Sequence, residues 1–385
     1  MYARVFYSKN PVLELAIEET IIRYKNHSRS WNKKGFDFVI AAYDPNIYPY
    51  DSHVIEVFDN YFGKNRWLAF HSVASFANAK TIENGFVVLF LKFTSNGKIQ
   101  VKTFNGINGN YTSLVKETAS YLTKHREDLN VAITTFSGGL PGFFIESLQN
   151  RLDFFPNLIG GVASGIETQR RIIDFIYTSE GIVEDGFAII SFTNVKHAFG
   201  VAFGHSLVGP IYQITDAKRN YIKEIEGRPA AELLKVLFKG LEDKLPELFW
   251  YTPIVILDET TEDIALLRSY QKEEGGYLYF YGPIKKGWRF RFAFAHKDRL
   301  LEADLTEALN IRRKLNNVEL AFNFSCLHRQ YLLENKYREE AKIYSSILNA
   351  PLFGFFTLGE IGPDKRGHKL RYYNETSLVV GLKEV

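Results

Sequence analysis

Short, uninterrupted apolar segments recur along the chain, and turn residues such as glycine, proline or asparagine follow them. Residues 38–43, within a predicted strand over residues 36–43, and residues 86–91 are two such segments. A strand that is apolar at every position, rather than at alternate ones, needs cover on both faces. Segments with helical spacing stand between these strands; in the first, Pro11 precedes apolar residues at positions 13, 16, 17, 21 and 24. The sequence therefore predicts an α/β protein of twisted, mixed sheets flanked by helices.

The same order of elements recurs, which suggests an internally repeated strand-helix-strand-hairpin unit. Residues 83–88 resemble residues 184–189, and residues 73–75 resemble residues 162–164, at matching points of the unit. A weaker third copy begins near Leu320. We infer a duplication, with two fused halves that pack against each other. The polar stretch around residues 216–220 predicts a boundary between domains 1–218 and 219–385.

Charge and composition exclude several classes of function. The 385 residues carry a net charge of only +3, which argues against a nucleic-acid binder. One cysteine, Cys326, rules out an internal disulfide framework and a Cys-x-x-Cys zinc site. The nine histidines show no paired spacing, so we expect neither a metal nor a cofactor. The sequence shows no targeting or membrane-spanning segment, which predicts a cytoplasmic protein without membrane contact.

Several spaced blocks of this sequence resemble the FIST family, a two-part sensory module. The N-terminal blocks are residues 160–164, with the double glycine, and residues 204–210 and 226–230. The C-terminal blocks are residues 324–329, 354–363 and 374–376, and they agree with the family in both order and separation. The resemblance covers nearly the whole chain.

The resemblance implies a signal-input domain that binds a small ligand, with amino acids as the usual proposal, and that does not catalyse a reaction. Family members are often fused to transmitter domains. This chain contains no such domain, so we expect it to act through a downstream signalling protein or simply to bind its ligand. The block 327–328 departs from the family, which more often has small residues there.

The C-terminal blocks supply the candidate ligand-binding residues. The planar guanidinium of Arg329 suits a ligand carboxylate, Glu360 could accept an ammonium group, and Asn374 could bind a carbonyl or amide. Arg329 could instead form an internal ion pair, with Glu360 as a candidate partner, and Glu360 could also satisfy backbone donors. The remaining candidates would line the ligand site or, as glycines, let the backbone approach the ligand closely: Ser325, Cys326, Gly354, Gly359, Gly160 and Gly161. The double glycine could also be no more than a tight turn.

Two other functions remain open at this stage. Cys326 and His328 are two residues apart, so a continuing strand would put them on one face, as a thiol-dependent transferase or hydrolase requires. A lone cysteine, however, more often behaves as a small buried hydrophobe. A scaffold that binds only protein is the other alternative.

Overall fold

The fold is described from a computed structural model, which covers residues 1–28, 35–49, 53–135, 140–167, 172–241 and 244–385. Within these ranges the chain forms three successive units of similar strand order, and the third contains a large insertion. No helix in the described ranges combines the length and the apolar composition that crossing a bilayer requires.

The first unit begins with a strand and a helix and ends with a hairpin and a return strand. Its elements are β1 (Tyr2–Ser8), α1 (Leu13–Ser28), β2 (Phe38–Tyr43), α2 (Val54–Phe62), β3 (Trp67–His71), β4 (Ala74–Ala77), β5 (Lys80–Glu83) and β6 (Phe86–Lys92). Every residue of β2 is buried, as its continuous apolar pattern predicts.

The second unit repeats this order with a small extra hairpin. Its elements are β7 (Lys98–Asn105), α3 (Ile107–Lys124), β8 (Leu129–Thr134), α4 (Leu140–Arg151), β9 (Leu158–Val162), β10 (Ile166–Glu167), β11 (Ile172–Ile173), β12 (Ile176–Thr178), β13 (Gly181–Val183) and β14 (Gly186–Thr193).

The third unit starts with β15 (Val195–Ala202) and is then interrupted by residues 203–296. The inserted elements are β16 (His205–Lys218), β17 (Tyr221–Ile225), β18 (Arg228–Pro229), α5 (Ala230–Leu237), α6 (Leu245–Tyr251), β19 (Ile254–Leu257), β20 (Ile264–Arg268), β21 (Tyr270–Glu274), β22 (Tyr277–Phe280) and β23 (Arg289–Ala295). Their strands form one eight-stranded sheet that curls as a half-barrel.

The unit resumes after the insertion. Its remaining elements are α7 (Lys297–Leu315), β24 (Leu320–Cys326), α8 (Leu327–Leu333), α9 (Glu339–Leu348), β25 (Leu352–Thr357), β26 (Glu360–Pro363), β27 (Leu370–Tyr373) and β28 (Ser377–Glu384). The helical pattern from Tyr331 to Leu348 predicts one helix, but two are present. The chain turns between them because Glu334 adopts a left-handed backbone, with φ of 48°.

The three six-stranded sheets share one order of pairing. In each, an edge strand pairs with the return strand, then come two parallel strands, and a hairpin from another unit completes the sheet. The first sheet receives β12–β13, the second receives β26–β27 and the third receives β4–β5. The duplication inferred from sequence stays a prediction, since strand order by itself does not establish common descent.

These exchanged hairpins interlock the two halves. β15 pairs with β28 over eight residues, so the third sheet joins strands from distant parts of the chain. The boundary predicted after residue 218 falls at the tip of the β16–β17 hairpin, whose strands pair with each other. The division into domains 1–218 and 219–385 therefore stays a prediction, and the two sides of it share hydrogen-bonded sheet.

Candidate functional site

The C-terminal ends of β24 and β25 bring three of the predicted residues together. The two strands are parallel, and Cys326 lies opposite Thr357 where both end. Glu360 opens the next strand, and the backbone N–H of Cys326 donates to the carbonyl of Thr376. Cys326 and Glu360 interact directly, and Tyr372 contacts Asn374 beside them. Strand ends are where α/β sheets hold ligands, so this cluster is the first candidate site.

Hydrogen bonds from the protein itself occupy Glu360. One carboxyl oxygen accepts from the Thr357 hydroxyl at 2.6 Å, and the other accepts from the Thr376 hydroxyl at 2.7 Å. Burial raises the pKa of Glu360 to about 8, against the lowering effect of those hydroxyls. At neutral pH the group is therefore mostly protonated, which is a poor partner for a ligand ammonium.

Cys326 is a buried thiol beside the carboxyl group of Glu360. Burial raises the pKa of its thiol well above the ordinary value, and the charge of Glu360 adds to this; hydrogen bonds from the backbone of Glu375 and His328 act the other way. The strand stops at Cys326 and α8 begins at Leu327, so the predicted shared strand face of Cys326 and His328 is wrong. The side chain of His328 contacts Glu375 instead, at 3.2 Å.

A buried acid with two histidines lies next to this thiol. Glu375 accepts a hydrogen bond from the Ser269 hydroxyl at 2.6 Å, and His205 Nε2 lies 3.4 Å from its second oxygen. Burial alone would raise the pKa of Glu375, but His328 and His205 outweigh it and lower the pKa to about 2. Ser269 and His205 belong to the insertion, so this carboxylate ties the insertion to the third unit.

Arg329 is not part of the cluster. Its guanidinium, which is fully buried, contacts Asp304 at 2.6 Å and Glu340 at 3.1 Å. Ser325 donates to the same Glu340 carboxylate at 3.1 Å. The structure thus gives Arg329 and Glu360 different partners: the internal ion pair considered from sequence is present, but its acids are Asp304 and Glu340 and not Glu360. The buried Nη1 of Arg329 has no hydrogen-bond partner among the described residues, and a ligand carboxylate at that atom would have to approach two buried acids.

Each of the four predicted glycines lies closely against another part of the protein. A Cβ on Gly160 would lie 1.9 Å from the Ala132 carbonyl oxygen, and one on Gly354 would lie 2.1 Å from that of Asn323. A Cβ on Gly161 would meet Thr357, and one on Gly359 would lie 2.1 Å from the hydroxyl of Tyr372. Asn374 differs, because its buried Oδ1 has no hydrogen-bond partner among the described residues.

A cleft of about 430 Å³ lies elsewhere, and none of the predicted residues lines it. Its floor is β15, with Phe199 and His197 on the strand, and Phe155 lies 5.7 Å from the Phe199 ring. One wall is α7, and the other is the turn at residues 364–367 between β26 and β27. A volume in this range suits a small metabolite.

Side chains of both charges line this cleft. Glu307, Asn310 and Lys314 project from α7, and Asp364 and Lys365 from the turn. Burial raises the pKa of Glu307, while Asn310, Lys365 and Lys314 lower it, which places both lysines near that carboxyl. Arg366 also lines the cleft, but its guanidinium donates to Asp258 at 3.1 Å.

The sequence contains one signal for this cleft. Glu307, Asn310 and Lys314 stand three and seven residues apart, which puts them on one face of a helix. Such a face is more often merely solvated, and no motif links it to β15, more than a hundred residues earlier. For metals, no group of three or more His, Cys, Asp or Glu side chains in the described ranges could hold an ion.

Comparisons with known proteins match most of the chain. Residues 37–228 match the FIST N domain, and residues 230–363 match the FIST C domain. An uncharacterised protein of Aquifex aeolicus (strain VF5) is 30% identical over 263 residues, which are 66% of this chain and 94% of the relative. The floor of the cleft lies within the first match and its α7 wall within the second.

Proposed function

Because the chain belongs to the FIST family, whose domains are sensory signal-input modules, we propose that it binds a small zwitterion, of which an amino acid is the example, in the cleft between β15 and α7. The single observation that carries the proposal is a cleft of about 430 Å³ that presents carboxylates and ammonium groups to the same space. Binding is non-catalytic, and a downstream signalling protein reads its outcome.

The charges of the cleft suit a ligand that carries both signs. Lys365 and Lys314 would hold the ligand carboxylate, and Glu307 would hold its ammonium group. Glu307 is partly buried, so water screens its interaction with a ligand less than at an open surface. The aromatic floor of Phe199 and Phe155 would take the apolar part of the ligand.

The position of the cleft suits a sensor. Its floor belongs to the region that matches FIST N and its α7 wall to the region that matches FIST C. A ligand that contacts both can favour one arrangement of the walls over another. It shifts that balance only by its difference in affinity for the two arrangements.

A thermal-shift screen with amino acids and related acids, followed by calorimetric titration of any hit, tests the proposal. A ligand that binds the folded state raises the melting temperature by mass action. We expect Glu307→Gln and Lys365→Met each to weaken binding about tenfold, which corresponds to ~1.4 kcal/mol.

Matched controls exist on the same elements. Glu302 is exposed on α7, and Lys369 is exposed in the β26–β27 turn; neither lines the cleft. Glu302→Gln and Lys369→Met should bind as the unmodified protein does. Equal losses in all four variants, or a flat response across the library, would end the proposal. The flat response would favour the protein-only scaffold.

A further inference from the structure

Arg268 is a buried cation whose guanidinium donates to main-chain carbonyls. It ends β20, and only 2% of its surface is exposed. Its Nε donates to the carbonyl of Pro283 at 3.0 Å, and Nη1 donates to those of Leu267 and Tyr372, both at 3.0 Å. Among the described residues no carboxylate forms an ion pair with it, although Glu146 is near enough to raise its pKa. Such an uncompensated charge is costly unless something else neutralises it.

This guanidinium lines a small cavity of about 40 Å³. The cavity lies where α4, β27 and the insertion meet, and Lys285 and Arg371 line it as well. Nε of Arg371 is buried and has no hydrogen-bond partner among the described residues. The space equals that of roughly three water molecules, so it takes a compact group and not a bulky one.

Charge in the cavity is predominantly positive. Three cations, Arg268, Lys285 and Arg371, line it, against one carboxylate, Glu146. That carboxylate pairs with Lys285 at 3.2 Å, and both side chains are partly exposed. Burial lowers the pKa of Arg268 to about 10, and Glu146 opposes this only in part. Arg268 stays charged at neutral pH.

We propose that Arg268, Lys285 and Arg371 form a binding site for a compact oxyanion, that is, a phosphate, a sulfate or a small carboxylate. The guanidinium of Arg268 is a planar fork of donors, which matches two oxygens of such an anion. Lys285 at the rim supplies a further charge, and Nε of Arg371 supplies a buried donor. This site is separate from the cleft beside α7 and does not depend on the proposed function.

Occupancy would join three segments that are remote in sequence. α4 contributes Glu146, β27 contributes Arg371, and the insertion contributes Arg268 and Lys285. An anion that neutralises the buried charge stabilises the contact between the insertion and the rest of the chain. The folded state therefore binds the anion and the unfolded chain does not, which makes thermal stability depend on anion concentration.

Titration with sodium phosphate, sodium sulfate and sodium acetate tests the proposal on the full chain. Melting temperature and calorimetric heat are measured, with sodium chloride at equal ionic strength as the reference. We expect saturable stabilisation by at least one oxyanion beyond the chloride reference. A preference for phosphate and sulfate would indicate a phosphate-type ligand, and a preference for acetate would indicate a carboxylate.

Substitutions at the rim keep the test independent of folding. Lys285→Met removes a partly exposed charge of the cavity, and we expect oxyanion affinity to fall about threefold or more. Lys286→Met is the matched control, because Lys286 is the exposed neighbour and does not line the cavity. Arg268→Lys keeps the charge but loses the planar fork, and it should abolish the saturable effect.

Three results would overturn the proposal. One is oxyanion stabilisation equal to that of chloride at every ionic strength. Another is the same affinity in Lys285→Met and Lys286→Met. The third is undiminished binding in an Arg268→Lys protein whose circular dichroism spectrum is unchanged.

Discussion

At the scale of single residues, Glu360 and Glu375 are both fully buried, yet their surroundings shift their pKa values in opposite directions. Among the described residues, the partners of Glu360 are hydroxyl, thiol and backbone groups, and burial dominates, which raises its pKa to about 8. Two histidines face Glu375, and they lower its pKa to about 2. The neighbouring charges, rather than the degree of burial, therefore decide which acid is ionised at neutral pH.

Glu360 should make the protein less stable as the pH rises. In the unfolded chain its carboxyl loses its proton above pH ~4.5, whereas in the folded state it keeps the proton up to about pH 8. Stability is therefore lost between these values as pH increases. Between pH 5 and pH 8 we expect the free energy of unfolding of Glu360→Gln to rise, relative to that of the unmodified protein, by on the order of 3 kcal/mol. Urea unfolding at both pH values measures this, and a constant difference would contradict the assignment.

Removal of Arg329 should leave two buried carboxylates without their cation. We expect Arg329→Met to lower the free energy of unfolding by about 3–5 kcal/mol. Arg338→Met is the control, since Arg338 forms an exposed ion pair with Glu83 at 3.3 Å. This substitution should change the free energy of unfolding by less than ~1 kcal/mol. A variant of Arg329 that keeps its stability but loses ligand binding would restore the role expected from sequence.

Cys326 should react slowly with alkylating agents in the folded protein. Only 6% of its surface is exposed, and burial keeps its thiol protonated. At pH 7 we expect labelling by iodoacetamide to be at least about 100-fold slower than in the urea-unfolded chain. Because Cys326 is the single cysteine, the labelled mass reports on it alone. Rapid labelling of the folded protein would instead support a nucleophile.

At the scale of elements, the strand connections explain why glycine is needed at particular points. Gly359 links β25 to β26, has φ of 147°, and lies against the ring of Tyr372 on β27. The close approach brings β26 into the sheet that contains β9. Gly367, in the following turn, also has a positive φ of 74°, but nothing lies within 4 Å of the Cβ position.

This contrast predicts different costs for two similar substitutions. Gly367→Ala meets only backbone strain, and we expect it to cost about 1 kcal/mol. Gly359→Ala adds overlap with Tyr372, so the total should exceed about 2–3 kcal/mol. Urea unfolding of the two variants gives the comparison. Equal costs would mean that Tyr372 moves aside freely.

At the scale of the whole molecule, hairpins exchanged between units make the three sheets interdependent. β4 pairs with β25, β9 with β26, and β12 with β3, so each sheet is completed by another unit. Main-chain hydrogen bonds therefore connect the walls of the cleft to the other sheets. The insertion adds a further link through Glu375, which contacts His205 and Ser269.

Ligand binding in the cleft should slow amide hydrogen exchange in three separate segments. We expect protection in β15, in α7 from Glu307 onward, and in the turn at residues 364–367, because these form the cleft. The first strand and helix, β1 and α1, serve as the internal reference and should not change. Protection confined to β24–β26 would place the ligand beside Cys326 and Glu360 instead.

The sequence by itself determined the class of elements and several of their positions. Continuous apolar strands predict buried sheets, and the spaced blocks from 324 to 376 predict the family. Both follow from local patterns, because burial on two faces and tight turns each constrain neighbouring residues. The cluster of Cys326, Glu360 and Asn374 could also be predicted, since all three lie at or next to the ends of strands.

Tertiary structure alone decided which charges meet. Arg329 is close to Cys326 in sequence, yet it forms its ion pairs with Asp304 and Glu340. The reason is that α7 and α9 place these acids against α8. The cleft lies between β15, α7 and a turn that is distant in sequence. The cavity beside Arg268 is lined by α4 and β27 as well. Pairings between segments that are far apart in the chain depend on how sheets and helices close on each other, and no local spacing records that closure.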